Sequence, residues 1–106
     1  MQERLDTQKI ADELEFDLSD VEMLLDVFTE TAEESLEVLK TAVLTLNYSE
    51  ICNCSHSIKG SAANLKLLRV SELAKELELA ANSKKEIDYT EIFLELSDEI
   101  NKIKTR

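Results

Sequence analysis

Apolar residues recur along the chain with the alternating three- and four-residue spacing that places side chains on one face of an α-helix. The longest such run, in the segment 19–46, comprises Leu25, Phe28, Ala32, Leu36 or Ser35, Leu39, Val43 and Leu46. Similar runs occur in the segments 48–66, 68–82 and 89–104, and a shorter one in 6–15. We therefore predict four long amphipathic helices after a short first helix, with Met23, Phe28, Phe93 and the leucines of these runs in the core.

The predicted helix starts carry capping signals. Each has a capping residue followed three positions later by a glutamate: Ser19 with Glu22, Asn47 with Glu50, and Asp88 with Glu91. The connecting segments are short, so neighbouring helices are expected to run antiparallel. The predicted fold is all-α, an up-and-down antiparallel four-helix bundle with a short additional N-terminal helix. We expect a single domain over residues 1–106.

Composition supports a compact helical protein. The chain has 106 residues, one glycine and no proline, and 43% of its residues are hydrophobic. An all-β protein needs a turn about every ten residues, and turns depend on glycine and proline. With 12 basic and 23 acidic residues the net charge is −11, which disfavours binding to nucleic acid or to an anionic membrane and favours a monomer.

Two observations bear on the compartment. The first ten residues, MQERLDTQKI, contain no apolar run of signal-peptide length, and no segment approaches the length of a membrane helix. Cys52 and Cys54 lie two positions apart, so a helix would point their side chains to different sides and disfavour a disulfide between them. We therefore expect free thiols and a cytoplasmic location.

The third predicted helix contains the only histidine and the only glycine of the chain, His56 and Gly60, with Lys59 between them. Its buried face passes through Ser55 and Ile58. His56 and Lys59 each follow one residue later, about 100° further round the helix, and are one turn apart. They therefore share a flank beside the core, and we expect the imidazole to face solvent.

Gly60 allows two interpretations. It can be the left-handed residue that ends a helix, with Ser61 starting the next one. Alternatively, the helix continues through it, at a cost of about 1 kcal/mol relative to alanine. The apolar spacing stays in phase from Ile58 to Ala62 and Leu65, which favours the continuous helix. A glycine there removes a side chain one turn from His56.

Acidic residues are absent from Ile51 to Ser71, where about five are expected at the average composition of the chain. The same stretch contains Lys59, Lys66 and Arg69. A chance gap or a buried helix face would also explain the pattern. A site that receives an anion is the functional interpretation.

These features together favour phosphoryl chemistry on His56. A neutral imidazole is a nitrogen nucleophile near pH 7 and can hold a phosphoryl group covalently. The reaction requires in-line access and compensation of charge on the phosphoryl oxygens. Exposure of His56 and the missing side chain of Gly60 provide access, and the flexible ammonium of Lys59 can reach an oxygen.

The sequence resembles the histidine phosphotransfer domains of two-component phosphorelays. The matching runs are HSIKGSAANL, from His56 to Leu65, and LAKELE, from Leu73 to Glu78. The resemblance implies that His56 is phosphorylated on Nε2, that Lys59 interacts with the phosphoryl group, and that Gly60 leaves room for the partner.

The resemblance also implies the partners. An aspartate of a response-regulator receiver domain exchanges the phosphoryl group with the histidine, and a hybrid sensor histidine kinase lies upstream. The receiver brings Mg²⁺, so we predict no metal site and no cofactor on this chain, and no kinase activity of its own. The chain departs from the family at Lys66-Leu67, where Gly-Ala is common, and at Ser55, where alanine is frequent. Family members often place a polar residue of the next helix near the imidazole, and spacing alone does not identify it here.

We expect docking to bury small and apolar residues around His56, including Cys52 and Ala63, with the basic residue Lys66 near the acidic pocket of the partner. The main alternative function is a non-phosphorylated adaptor that binds receiver or kinase domains.

Two further alternatives have weaker support. A metal site at Cys52, Cys54 and His56 lacks a fourth ligand, and on a helix Cys54 points away from the other two. A hydrolase using Ser57 or Ser61 lacks an oxyanion hole and an orienting carboxylate.

Overall fold

The structure, a computed structural model, describes residues 5–106. Its helices are α1 (Thr7–Leu14), α2 (Leu18–Leu44), α3 (Tyr48–Asn64), α4 (Leu68–Asn82) and α5 (Tyr89–Lys104). No strand occurs within residues 5–106, which confirms the predicted all-α class. Residues 1–4 lie outside the described range. They belong to the predicted domain and to the N-terminal segment in which no signal peptide is expected. Among the described helices, none combines the length and apolarity needed to cross a bilayer.

The four long helices contact one another in a ring. Within the described range, α2 packs against α3, α3 against α4, α4 against α5, and α5 against α2, whereas α1 contacts α2 alone. The inward faces meet in one hydrophobic core. Its largest fully buried side chains are Leu25, Leu39, Ile51, Leu73, Leu77, Leu96 and Ile100. The helical spacing of the sequence therefore identified the elements that build the core.

The predicted core is correct for Phe28 and Phe93, which are both buried. It is wrong for Met23, whose residue is 63% exposed. Met23 is two positions before Leu25 and so lies about 200° away from it, on the solvent side of α2. The prediction is also wrong for Leu46, which is exposed because it follows the end of α2 instead of continuing its buried face.

Two of the three predicted helix starts are confirmed. The side chain of Asn47 accepts a hydrogen bond from the Glu50 amide at 3.2 Å, and that of Asp88 accepts one from the Glu91 amide at 3.1 Å. Each bond satisfies an amide that the first helical turn leaves without a partner. These caps place the starts of α3 and α5.

The capping role predicted for Ser19 is wrong. Helix α2 already begins at Leu18, and Asp17 precedes it in an extended conformation without a capping hydrogen bond from its side chain. The Asp17 carbonyl instead accepts from the amides of Asp20 and Val21 at 3.1 Å. Ser19 therefore lies inside the first turn, where its side chain cannot occupy the N-cap position.

Within residues 5–106, four helices are followed, at the cap or directly after it, by a left-handed residue that is not glycine: Glu15, Leu46, Lys66 and Lys84. Lys66, with a φ of 59°, follows α3, which ends two residues before its predicted end. Beyond it the Leu67 amide donates to the Ala62 carbonyl at 2.9 Å. Glycine is the residue that best fits this left-handed position. The single glycine of the chain is therefore absent from every turn that would favour it.

Candidate phosphotransfer site

Gly60 lies inside α3, which runs unbroken from Tyr48 to Asn64. Its φ is not positive, so the alternative that it ends a helix is wrong. A Cβ added to Gly60 would meet no atom within 4 Å. The described residues therefore do not require a glycine for their own packing, although it costs about 1 kcal/mol of helix stability relative to alanine.

His56 stands on the exposed flank of α3, and its side chain is 70% exposed, as expected. Its Nδ1 lies 2.5 Å from Oε2 of Glu78 in α4. Lys59, one turn further along α3, donates from Nζ to Oε1 of the same carboxylate at 2.6 Å. One carboxylate of α4 thus contacts both side chains that sequence analysis singled out on α3.

Glu78 is the acceptor for both side chains because it is ionised. The hydrogen bond from Lys59 lowers the pKa of the Glu78 carboxyl below its ordinary value, and partial burial acts in the opposite direction. The hydrogen bond with His56 and the nearby positive charges lower the pKa of Glu78 further. An ionised carboxylate has no proton to donate, so Nδ1 of His56 carries the proton. In the neutral ring this leaves the lone pair on Nε2.

The backbone of α3 is also tied to α4 beside this network. Ser71 donates from its hydroxyl to the carbonyl of Lys59 at 3.3 Å. Ser55 and Ile58, on the inner face of α3, are buried in the core. The helix is therefore held from two sides, which directs His56 outwards and towards Glu78.

The exposed face of α3 carries small, uncharged side chains around His56. Its other exposed residues are Ser49, Asn53, Ser57, Gly60, Ser61, Ala63 and Asn64. The one long, charged α3 side chain beside the imidazole, Lys59, is partly buried and bonded to Glu78. A second protein can therefore approach the ring closely.

A shallow groove of about 240 Å³ lies between α2 and α3. Leu24, Val27 and Thr31 line it from α2, and Ser57 and Ser61 line it from α3. Because the two serines also belong to the exposed face of α3, the groove continues the surface around His56. Sequence analysis missed this groove, although the spacing of the three α2 residues follows a second helical stripe beside the buried one.

A family model described as Hpt domain matches residues 23–106, which is 84 of the 106 residues. The chain belongs to the Hpt family. No curated protein and no solved structure matches the chain significantly. Hpt domains are phosphotransfer intermediates, not kinases, and interact with receiver domains and histidine kinases in two-component phosphorelays.

Glu78 is the polar residue beside the imidazole that sequence analysis of this Hpt domain left unassigned. The stretch without acidic residues, from Ile51 to Ser71, ends before Glu78. The surroundings of His56 are therefore not free of acidic residues, because α4 packs against α3 and brings the Glu78 carboxylate to the site. The sequence contains one weak indication of this role, since Glu78 is the last residue of LAKELE, the second run that resembles the family.

The three predicted docking residues lie at different distances from His56 along the chain. Cys52 is half-buried one turn before it, and Ala63 is exposed about two turns after it. Lys66 is exposed but lies beyond the end of α3, in the turn to α4. Cys52 and Ala63 therefore flank the histidine, whereas Lys66 lies at one end of this surface. A docking role for all three stays a prediction.

The alternative chemistries gain no support from the described residues. Within residues 5–106, no three His, Cys, Asp or Glu side chains are grouped as metal ligands would be. Burial, reinforced by the negative charge of Glu50, raises the pKa of the Cys54 thiol, which keeps it protonated at neutral pH. No hydrogen bond within this range joins Ser57 or Ser61 to His56.

The lowered pKa of Glu78 predicts an acid-sensitive contribution to stability. Ionised Glu78 is favoured in the folded state, so its bonds stabilise the fold above the unfolded pKa of about 4.5. This contribution is lost as the pH falls through the lower folded pKa. The difference in free energy of unfolding between wild type and Glu78→Gln, measured with urea, should therefore shrink below pH 4.5.

Glu76→Gln is the matched control, because Glu76 is an exposed residue of the same helix and forms no ion pair within residues 5–106. Its difference from wild type should be small across the same pH range. A Glu78→Gln difference that stays constant from pH 5 to the acid end of the titration would contradict the assigned ionisation.

Proposed function

We propose that this Hpt domain is a phosphorelay intermediate in which His56 accepts a phosphoryl group from a receiver aspartate and passes it to another receiver aspartate. The observation that carries the proposal is the bond between Nδ1 of His56 and Glu78, at 2.5 Å. This bond leaves the nucleophilic lone pair on Nε2 of a ring that is 70% exposed. A hybrid sensor histidine kinase is the expected upstream partner.

The proposed transfer balances on the residues at the site. The Nε2 lone pair forms the N–P bond, the P–O bond to the receiver aspartate breaks, and its electron pair leaves with the aspartyl carboxylate. The ring keeps its Nδ1 proton and gains a positive charge, which the carboxylate of Glu78 balances. Mg²⁺ is expected on the receiver domain, so the chain itself supplies the nucleophile and its orientation.

Lys59 is proposed to bind the phosphoryl oxygens after transfer. Its side chain is 30% exposed and lies one turn from His56. The flexible stem of a lysine allows the ammonium to leave Glu78 for a more highly charged neighbour. A phosphoryl group carries close to two negative charges at neutral pH and is such a neighbour.

The proposed docking surface combines the exposed face of α3 with the groove beside it, and its occupant is the receiver domain. Transfer requires the receiver aspartate to come in line with Nε2, so the receiver must cover this face. The groove shares Ser57 and Ser61 with the face and therefore lies under the same partner. Cys52 and Ala63 are proposed to form the opposite edge of this surface, and Lys66 one end of it.

We further infer an up-and-down antiparallel bundle that forms one domain and acts as a cytoplasmic monomer. The helix order is supported by pairs such as Arg106, after α5, which donates to Glu22 near the start of α2 at 2.9 Å. Helices α3 and α4 are likewise antiparallel. His56 contacts Glu78, whereas the carbonyl of Lys59, later in α3, accepts a hydrogen bond from Ser71, earlier in α4. The net charge of −11 opposes self-association.

The direct test is incubation with a phosphorylated receiver domain and Mg²⁺. Wild type should acquire a phosphoryl label that is lost in acid, and His56→Gln should acquire none. The radioactive label on the protein is detected by autoradiography after gel electrophoresis. A receiver that binds the wild type without transferring label would support the adaptor alternative and contradict the relay.

Gly60→Ala should raise the stability of the fold and slow transfer at the same time. Alanine gains about 1 kcal/mol in a helix interior, and its Cβ meets no neighbour in the chain. The added atom would stand where we propose that the receiver approaches. Urea unfolding and rapid-quench transfer rates measure the two effects, and the longer side chain of Gly60→Gln should slow transfer more than alanine does.

Should both variants transfer at the wild-type rate, Gly60 would have no role in access. The gain in stability of Gly60→Ala serves as the internal control, because it shows that the fold is intact.

Val27→Glu should slow transfer by about tenfold or more, since it places a charge in the proposed interface. Val38→Glu is the matched control on the same helix, with 49% exposure against 55% for Val27. Val38 lies about 16 Å further along α2, so its variant should keep a rate near wild type. Equal rates for both variants would remove the groove from the docking surface.

A further inference from the structure

If His56 is phosphorylated, as the proposed function requires, its contact with Glu78 acts on the phosphorylated ring. Before transfer, Nδ1 of His56 already carries a proton, held by Oε2 of Glu78 at 2.5 Å. When Nε2 forms its bond to phosphorus, both ring nitrogens are substituted and the ring is cationic. An imidazole in water loses such a proton readily near neutral pH.

The charged groups around the ring favour keeping this proton. The titratable residues one turn from His56 on α3 are Cys52 and Lys59, and on α4 Glu78 contacts the ring while Lys75 lies about one turn before Glu78. The α2 residues that line the adjoining groove are uncharged. Glu78 is the anion in hydrogen-bond contact with the ring, and an opposite charge at that distance favours the protonated form. Movement of Lys59 to the phosphoryl group would leave the charge of Glu78 facing the ring.

The proton on Nδ1 decides how easily the phosphoryl group leaves. In onward transfer a receiver carboxylate oxygen bonds to phosphorus, the N–P bond breaks, and its electron pair returns to Nε2. A protonated ring leaves as neutral imidazole with its proton still on Nδ1. An unprotonated ring would have to leave as an imidazolate anion, which is a far poorer leaving group.

We propose that Glu78 is a positioning residue that keeps the Nδ1 proton on phosphorylated His56 and so holds the phosphoryl group ready for onward transfer. The same proton then serves in both directions, and no exchange with solvent is needed between acceptance and donation. This role requires the negative charge of Glu78 and not only its ability to accept a hydrogen bond.

Glu78→Gln separates the charge from the hydrogen bond. The amide oxygen of glutamine can accept from Nδ1 and preserve the orientation of the ring, but it cannot balance the positive charge. Glu78→Asp keeps the charge on a shorter side chain. Glu76→Gln removes the same charge from an exposed position of α4 and is the matched control.

The experiment phosphorylates each protein with phosphoramidate, a small donor that needs no receiver. Nitrogen-15 and phosphorus-31 NMR then follow the phosphorylated ring as the pH is raised. The wild type and Glu76→Gln should lose the Nδ1 proton at a midpoint at least one pH unit above that of Glu78→Gln, a tenfold change in the proton equilibrium. Glu78→Asp should recover part of that difference.

Onward transfer to a receiver provides the functional readout. Its rate should decline with pH at the same midpoint as the ring proton in each protein. Coinciding midpoints for wild type and Glu78→Gln, with phosphohistidine present in both, would overturn this inference and leave the proposed function intact. A wild type that shows no phosphohistidine signal would contradict the proposed function and this inference together.

Discussion

The carboxylate of Glu78 joins two side chains of α3 that would otherwise be separate surface groups. Its oxygens contact Nδ1 of His56 and Nζ of Lys59 at 2.5 and 2.6 Å. Lys59 keeps the carboxylate ionised, and the ionised carboxylate keeps the imidazole proton on Nδ1. The Lys59 ammonium and the Glu78 carboxylate thereby determine that Nε2 is the ring nitrogen without a proton. We propose that the bond with Glu78 makes the exposed imidazole of α3 a defined nucleophile.

The fold supports this contact at some cost to its own stability. A glycine occupies the interior of α3, whereas four helix ends place larger residues in the left-handed conformation that glycine favours. Ser55, directly before the histidine, is fully buried, and its hydroxyl has no hydrogen-bond partner within the described residues. Gly60 and Ser55 thus cost α3 stability beside His56, which is typical of a functional surface, where access and orientation outweigh local stability.

Sequence periodicity predicted the helices and most of the core because burial repeats every turn on a helix face. It failed at Met23, where an apolar side chain lies on the solvent side, and at Ser19, where the capping pattern follows the true start of α2. His56, Lys59 and Gly60 were identifiable because they lie on one helix at helical spacing. Glu78 was not, because its contact depends on how α3 and α4 pack against each other. The groove formed by α2 and α3 was missed for the same reason.

The central claim concerns the position of one proton, and nitrogen-15 NMR of the unphosphorylated protein measures it most directly. With His56 as the only histidine, its two ring nitrogens can be assigned without ambiguity. At a pH where the ring is neutral, the account predicts a protonated Nδ1 and an unprotonated Nε2, with this preference weakened in Glu78→Ala. A ring that carries its proton mainly on Nε2 in the wild type would contradict the account.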